Sequence, residues 1–108
     1  MAGPKTPEEA RTWIREAAAA RRYVRSVHFL ERLAERGFIM LDVIHTLHSP
    51  SAVRPHPDPP RHGGTCWRLE GREVDGTRRL AVGVEAYLDD AGRAAFLCTV
   101  IDLTRRIR

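Results

Sequence analysis

The spacing of hydrophobic residues changes between the two halves of this chain. Up to about residue 48, apolar residues recur every three or four positions, which is typical of amphipathic helices. From about residue 65 onward, they alternate with polar or small residues, as they do in half-buried strands. Helices followed by strands predict an α+β fold, in which N-terminal helices pack on a C-terminal antiparallel sheet of three to four strands.

Capping residues mark the limits of the first two predicted helices. Thr6, with Glu9 three residues later, forms the capping box of a helix over residues 6–22. Ser26 is a suitable cap for a second helix, and Gly37 ends that helix at a position where a left-handed residue is common. The sequence therefore predicts one amphipathic helix before residue 25 and another after it.

A third helix and a long loop are predicted next. Apolar residues at helical spacing favour a helix over residues 40–48, which Pro50 stops. Residues 49–64 contain five prolines and end in two glycines, so they are expected to form a loop. A connection of this length is either functional or poorly ordered.

Three strands are predicted over residues 65–70, 78–88 and 94–101, and short turn sequences join them into an antiparallel meander. The last strand is apolar on both faces and is expected to be central. The middle strand places two sets of side chains on opposite faces: Leu80, Val82, Val84, Ala86 and Leu88 on one, and Arg79, Ala81, Gly83, Glu85 and Tyr87 on the other. The residues expected to be buried in the core are Leu30, Leu33, Val82, Val84 and Val100.

Composition limits the class of protein. The 108 residues are enough for one domain, and no apolar run approaches the roughly 20 residues that a membrane helix needs. Five arginines interrupt the first thirty residues, which therefore lack the apolar stretch of a signal peptide. Two cysteines are too few for a disulfide scaffold. We therefore expect a cytoplasmic protein with no membrane partner and no cofactor.

The cations of this chain are almost all arginine. Lysine and arginine together number 18 against 14 acidic residues, a net charge of +4, and Lys5 is the only lysine. The planar arginine fork suits phosphate, so an arginine excess is compatible with a nucleic-acid partner. A genome rich in G and C would produce the same bias, and this explanation accounts for most of the arginine-to-lysine ratio.

Residues 26–38 carry a motif. His28 follows the capping Ser26 by two positions, Arg32 and Arg36 follow at intervals of four, and Gly37 ends the helix. This segment resembles the opening of the domain of unknown function 4258 family. The likeness extends over about residues 26–102 and includes the following segments: Asp42-Val43, Ser49-Pro50, Trp67 to Leu69, Leu80 to Val84 and Leu97 to Ile101.

The resemblance implies a division of the chain and a function. The chain would consist of an N-terminal extension over 1–25, a single RelE-like domain over 26–104 and a basic tail over 105–108. The family looks related to the RelE/ParE and BrnT-like toxins of bacterial toxin–antitoxin modules. Several of these proteins cleave mRNA without metal, often on the ribosome, and a co-encoded antitoxin silences them. The single lysine departs from the lysine-rich site of several such toxins.

His28, Arg32 and Arg36 are the candidate catalytic residues, because spacings of four place them along one helix stripe. Metal-free RNA cleavage needs a proton shuttle and cations against the charge that develops on phosphorus. The alternative is structural: His28 bonds a loop carbonyl, and the arginines pair with nearby carboxylates such as Glu35.

Arg68, Arg79, Tyr87 and Thr99 are the candidate RNA-binding residues. A basic sheet face with a tyrosine suits a stacked base and a phosphate, and a threonine hydroxyl can donate to a phosphate. Two alternatives stay open. The first helix could cover this face and fill the space above its small residues with Trp13, and a threonine in a strand needs no special reason.

A metal site is the less favoured interpretation of the histidines. His45 and His48 are three apart on a predicted helix, His56 and His62 lie in the following loop, and Cys66 is nearby. No compact Cys/His motif is present, so the sequence favours no metal, and the cysteines are expected to be buried thiols.

Two function classes follow. The first is a toxin that acts as a metal-free endoribonuclease on mRNA, with a cognate antitoxin as its partner. The second is a non-catalytic protein-binding module that retains the RelE-like fold. The oligomeric state stays open, a dimer included.

Overall fold

A computed structural model describes residues 3–104 of the chain. It contains three helices and five strands in the order α1 (Pro7–Ala19), β1 (Tyr23–Arg25), α2 (Val27–Arg36), α3 (Met40–His48), β2 (Ala52–Pro55), β3 (Thr65–Arg72), β4 (Arg79–Asp89) and β5 (Gly92–Asp102). The α+β class is therefore confirmed, with the helices preceding the three long strands. The predicted basic tail, residues 105–108, lies outside the described residues.

The sheet has five strands in the order β1-β5-β4-β3-β2, so the prediction of three to four strands is wrong. Strands β3, β4 and β5 form the predicted antiparallel meander, and β5 lies inside the sheet. The two unpredicted strands are its edges. β1 pairs parallel to β5, with Tyr23 opposite Ala95, and β2 pairs antiparallel to β3, with Val53 opposite Leu69.

Both edge strands are short, and this explains why the sequence pattern did not predict them. Four residues of the predicted loop 49–64 form β2, which ends at Pro55. Proline is tolerated there because an edge strand has a side without a hydrogen-bonded neighbour. Three residues form β1, and alternation cannot be recognised over so short a run.

Local capping chemistry fixes the starts of α1 and α2 where the sequence predicts them, but the prediction that the first helix reaches residue 22 is wrong, because α1 ends at Ala19 and β1 begins at Tyr23. The Thr6 hydroxyl accepts a hydrogen bond from the Glu9 amide, and the Glu9 carboxylate accepts one from the Thr6 amide. At the start of α2, the Ser26 hydroxyl accepts the Phe29 amide at 3.0 Å. Gly37 ends α2 in the left-handed region at φ 71°, where a residue without Cβ avoids strain.

All three helices pack on one face of the sheet and form a single core with it. The predicted core residues Leu33, Val82, Val84 and Val100 are buried there. Leu30 is 40% exposed, so its predicted burial is wrong. The helix presents Phe29 and Leu33 to the sheet instead, and Leu30 lies outside that stripe.

Helix α1 is part of this core. Ile14 is fully buried, and the Trp13 indole donates a hydrogen bond to the Ala94 carbonyl at 3.3 Å. Trp13 belongs to the same apolar cluster as the other helices, so α1 does not cover the opposite face of the sheet. No helix within residues 3–104 combines the length and apolar character that crossing a membrane requires.

Candidate functional site

The face of the sheet opposite the helices, called the second face below, is partly covered by residues 56–64, which we call the strap. The strap begins where β2 ends, and the His56 amide donates to the Cys66 carbonyl at 3.0 Å. The His56 ring lies over Gly83, with Nε2 3.6 Å from the position that a Cβ there would occupy. The sequence left open that the first helix covers this face. The strap covers part of it instead.

An open cleft of about 750 Å³ lies between the strap, the second face and the N-terminal turn of α2. The strap contributes Asp58 and Arg61 to its wall, and α2 contributes His28. The sheet contributes Cys66, Glu85, Phe96, Cys98 and Thr99. The cleft thus combines an imidazole, a guanidinium, two carboxylates and two thiols.

Glu85 is the buried charge of this site. Its side chain is 1% exposed, and its carboxylate accepts hydrogen bonds from the backbone amides of Arg61, His62 and Gly64 at 2.8–2.9 Å. The His62 ring nitrogen Nδ1 lies 3.0 Å from the same carboxylate. Burial alone would raise the pKa of Glu85, but these hydrogen bonds outweigh it and hold the pKa below its ordinary value.

The His62 ring fixes the end of the strap against the sheet. It stacks on Tyr87, with ring centroids 4.7 Å apart, and contacts Phe96 at 4.5 Å. Gly64 then passes so close to β4 that a Cβ would lie 2.0 Å from the Ala86 carbonyl oxygen. Tyr87 is buried, and burial raises the pKa of its hydroxyl. The Tyr87 ring already stacks on His62, so it is not available to stack on an RNA base as expected from the sequence.

The two cysteines are partly buried thiols at the base of the cleft. Burial, reinforced by Cys98, Glu85 and Asp58, raises the pKa of Cys66 to about 11. Burial also raises the pKa of Cys98. Since the thiolate is the reactive form, both groups are protonated and unreactive near neutral pH.

A β-bulge explains the position of Cys98. Gly83 pairs with Thr99 and Val84 pairs with Leu97, which leaves Cys98 as the extra residue in β5. Thr99 and Cys98 consequently both line the cleft, while Leu97 stays in the core.

Of the candidate catalytic residues, only His28 lies in the cleft. Arg32 forms an ion pair with Glu35 at 2.8 Å, as the structural alternative expected, and Arg36 lies 3.8 Å from the same carboxylate. Within residues 3–104, the buried Nη1 of Arg36 has no hydrogen-bond partner. Of the three residues along this side of α2, only His28 therefore borders the cleft, whereas Arg32 and Arg36 lie beside Glu35.

The candidate RNA-binding arginines lie elsewhere on the second face. Arg68 and Arg79 approach the Glu70 carboxylate at 3.3 and 3.7 Å, and Arg54 from β2 approaches it at 3.4 Å. The Arg68 Nε–H does not point at Glu70 and is without a hydrogen bond in the described part of the chain. Three guanidinium groups thus share one carboxylate, which leaves a local excess of positive charge.

The histidines that were considered as metal ligands lie in separate elements. His45 is exposed on α3, whereas His56 and His62 lie in the strap against the second face. Among the described residues, no group of three or more His, Cys, Asp or Glu side chains has the arrangement to hold a metal ion.

Sequence reasoning missed Glu85 and the strap residues Asp58 and Arg61. One signal was present, since an acidic residue among the small and apolar residues of β4 requires a partner when buried. The identity of that partner depends on how residues 56–64 fold back over the sheet, which no local pattern specifies. Comparison with protein-family models, with curated proteins and with solved structures finds no match to this chain.

Proposed function

We propose that this chain is a metal-independent endoribonuclease with a RelE-like fold, acting on mRNA as the toxin of a toxin–antitoxin module. One observation carries the proposal. His28 and Thr99 border the same open cleft as Arg61, on the helix-free face of the sheet. A proton-transfer group, a hydroxyl donor and a cation are the parts that metal-free phosphodiester cleavage requires.

Each group has a role in the proposed reaction. RNA cleavage without metal transfers a proton from the ribose 2′-hydroxyl and delivers one to the leaving oxygen. His28 is exposed and therefore free to make one of these transfers, and Asp58 on the strap is a carboxylate that could make the other. Arg61 and the Thr99 hydroxyl would stabilise the charge that develops on the phosphate.

The arginines around Glu70 support a path for the RNA strand. Arg68 follows Cys66 by two positions and so lies on the same face of β3, next to the cleft. With Arg54 and Arg79, it forms a cationic surface that can bind the phosphates adjacent to the one in the cleft. Arg32 and Arg36, which share Glu35, lie along α2 from His28.

The experiment is RNA cleavage by the purified chain in the presence of a chelator. We compare the wild type with His28→Ala and with a matched control, His45→Ala, in which an exposed histidine on α3 is removed. Loss of a general acid or base should reduce turnover by about 10²–10⁴-fold and leave RNA binding nearly unchanged. An inactive wild type, or equal activity of the two variants, would refute the proposal.

A second candidate, the protein-binding module, is favoured by a different observation. Val24, Val27 and Leu30 are 50%, 73% and 40% exposed, and Val24 lies on the edge strand β1. Apolar side chains beside an open strand edge are typical of a surface that another chain covers by strand addition.

Sedimentation analysis tests this second candidate for self-association. A dimer formed through this surface should dissociate in Val27→Glu but not in the control Leu41→Glu, which changes an exposed leucine of α3. If the wild type is monomeric at high concentration, this surface does not mediate self-association. An antitoxin would then be the partner to test by co-expression.

A further inference from the structure

We infer that the strap opens and closes as a unit over the cleft, and that Glu85 is the anchor that holds it closed. This inference goes beyond the proposed function, since it concerns access to the cleft whatever the cleft binds. Three observations support it. The middle of the strap is exposed, its polar contacts share one acceptor, and the strap covers the cleft.

The middle of the strap makes little contact with the rest of the protein. Residues 57–61 are all exposed, and three of them, Pro57, Pro59 and Pro60, have no backbone N–H to satisfy. No strap residue belongs to the apolar core of the described chain. Moving the strap away from the sheet would therefore not open the core.

The polar contacts at the C-terminal end of the strap converge on one carboxylate. After the last proline, the backbone amides of Arg61, His62 and Gly64 donate to Glu85, and the His62 ring joins them. These bonds are charge-assisted and form or break together because they share one acceptor. When the strap lifts, water can replace these donors, so the carboxylate is hydrogen-bonded in both states. The free-energy gap between the two states is then smaller than that for global unfolding.

Besides the hydrogen bonds to Glu85, the His56–Cys66 backbone bond and the close approach of Gly64 to Ala86, the strap contacts the sheet through two imidazole rings. His56 lies over Gly83, and His62 lies on Tyr87 and Phe96. Ring stacking of this kind contributes less than a buried aliphatic core. At the N-terminal end, the strap continues directly from β2, which keeps that end in place during opening.

Opening would change the cleft in a defined way. Asp58 and Arg61 would leave its wall, and the partly buried thiols of Cys66 and Cys98 would become accessible. Closing would bring the Arg61 guanidinium back over any ligand held against the second face. The strap therefore controls entry to the cleft and determines whether the Arg61 guanidinium borders it.

The thiols provide the measurement. We follow alkylation of the folded protein at one mildly alkaline pH, using Cys66→Ser and Cys98→Ser to observe one thiol at a time. Each thiol is labelled separately with a small and with a bulky uncharged reagent. The ratio of the bulky-reagent rate to the small-reagent rate cancels the thiolate fraction, and so separates accessibility from the thiol pKa. The anchor variants are His62→Ala and Glu85→Gln, and the control is Leu47→Ala, which destabilises the buried core away from the strap.

The expected result is a bulky-to-small rate ratio that rises about tenfold or more in both anchor variants, because each loses at least one charge-assisted hydrogen bond of the strap. Leu47→Ala should lower global stability and leave this ratio nearly unchanged. The inference is overturned if labelling follows global stability, or if the anchor variants label like the wild type. It is also overturned if His62→Ala fails to fold, because the strap would then be inseparable from the global structure. No RNA enters this assay, so a failed cleavage experiment does not decide it.

Discussion

Replacing Ile14 by alanine tests whether α1 is part of the folding unit or an addition to it. Ile14 is fully buried, so its truncation removes apolar contacts that water cannot replace. Its neighbours one turn away, Ala10 and Ala17, are also buried and too small to fill the space. The cavity should therefore persist, which places the expected loss of stability in the upper part of the usual range, about 3–5 kcal/mol.

Equilibrium denaturation in urea measures this loss, with Thr12→Ala as the control on the exposed side of the same helix. The control should change the free energy of unfolding by less than about 0.5 kcal/mol. Domains of this size have total stabilities of about 5–15 kcal/mol, so Ile14→Ala should lower the denaturation midpoint markedly. A loss below about 1 kcal/mol, or a second transition for α1 alone, would refute the inclusion of α1 in the core.

Three further substitutions have defined outcomes. Asp42→Ala removes the buried acceptor of the Val74 amide at 2.9 Å and should cost about 2–4 kcal/mol by denaturation, and a cost below about 1 would contradict this. Glu73 has a pKa lowered to about 2 by its hydrogen bond to Arg78, so its stabilising effect should be present above about pH 4.5 and disappear as the pH falls towards about 2. In Glu73→Gln, the melting temperature should lose this dependence on pH below about 4.5. At higher pH, the melting temperatures of the variant and the wild type should depend on pH in the same way. Val84→Asp places a charge at a 1%-exposed site and should prevent folding, so a soluble, cooperatively melting variant would show that the strand faces the other way.

The parts of the fold that sequence predicted are those set by neighbouring residues. Thr6, Ser26 and Gly37 fix helix ends through contacts within a few positions, and each was found as expected. Alternation along β4 correctly separated its two faces because eleven residues repeat the pattern. The strands β1 and β2 depend on partners far along the chain, and their own three or four residues contain no period to recognise.

The site was less predictable because it is assembled from residues that are far apart in the sequence. The motif that begins at Ser26 drew attention to His28, which borders the cleft. It could not show that Arg32 pairs with Glu35, or that Tyr87 lies beneath His62. These outcomes depend on side-chain geometry and on the fold-back of residues 56–64.

The parallel pairing of β1 with β5 has a consequence for the order of events during synthesis. Tyr23 lies opposite Ala95 in the register of these two strands, and α1 also packs on β5. β1 therefore lacks its strand partner until β5 has left the ribosome, whereas α1 can pack on α3 earlier but completes its contacts only with β5. Closing so long a loop is entropically costly and delays folding. We expect nascent chains that stop before β5 to be protease-sensitive and to depend on chaperones, whereas folding should complete in a single late step.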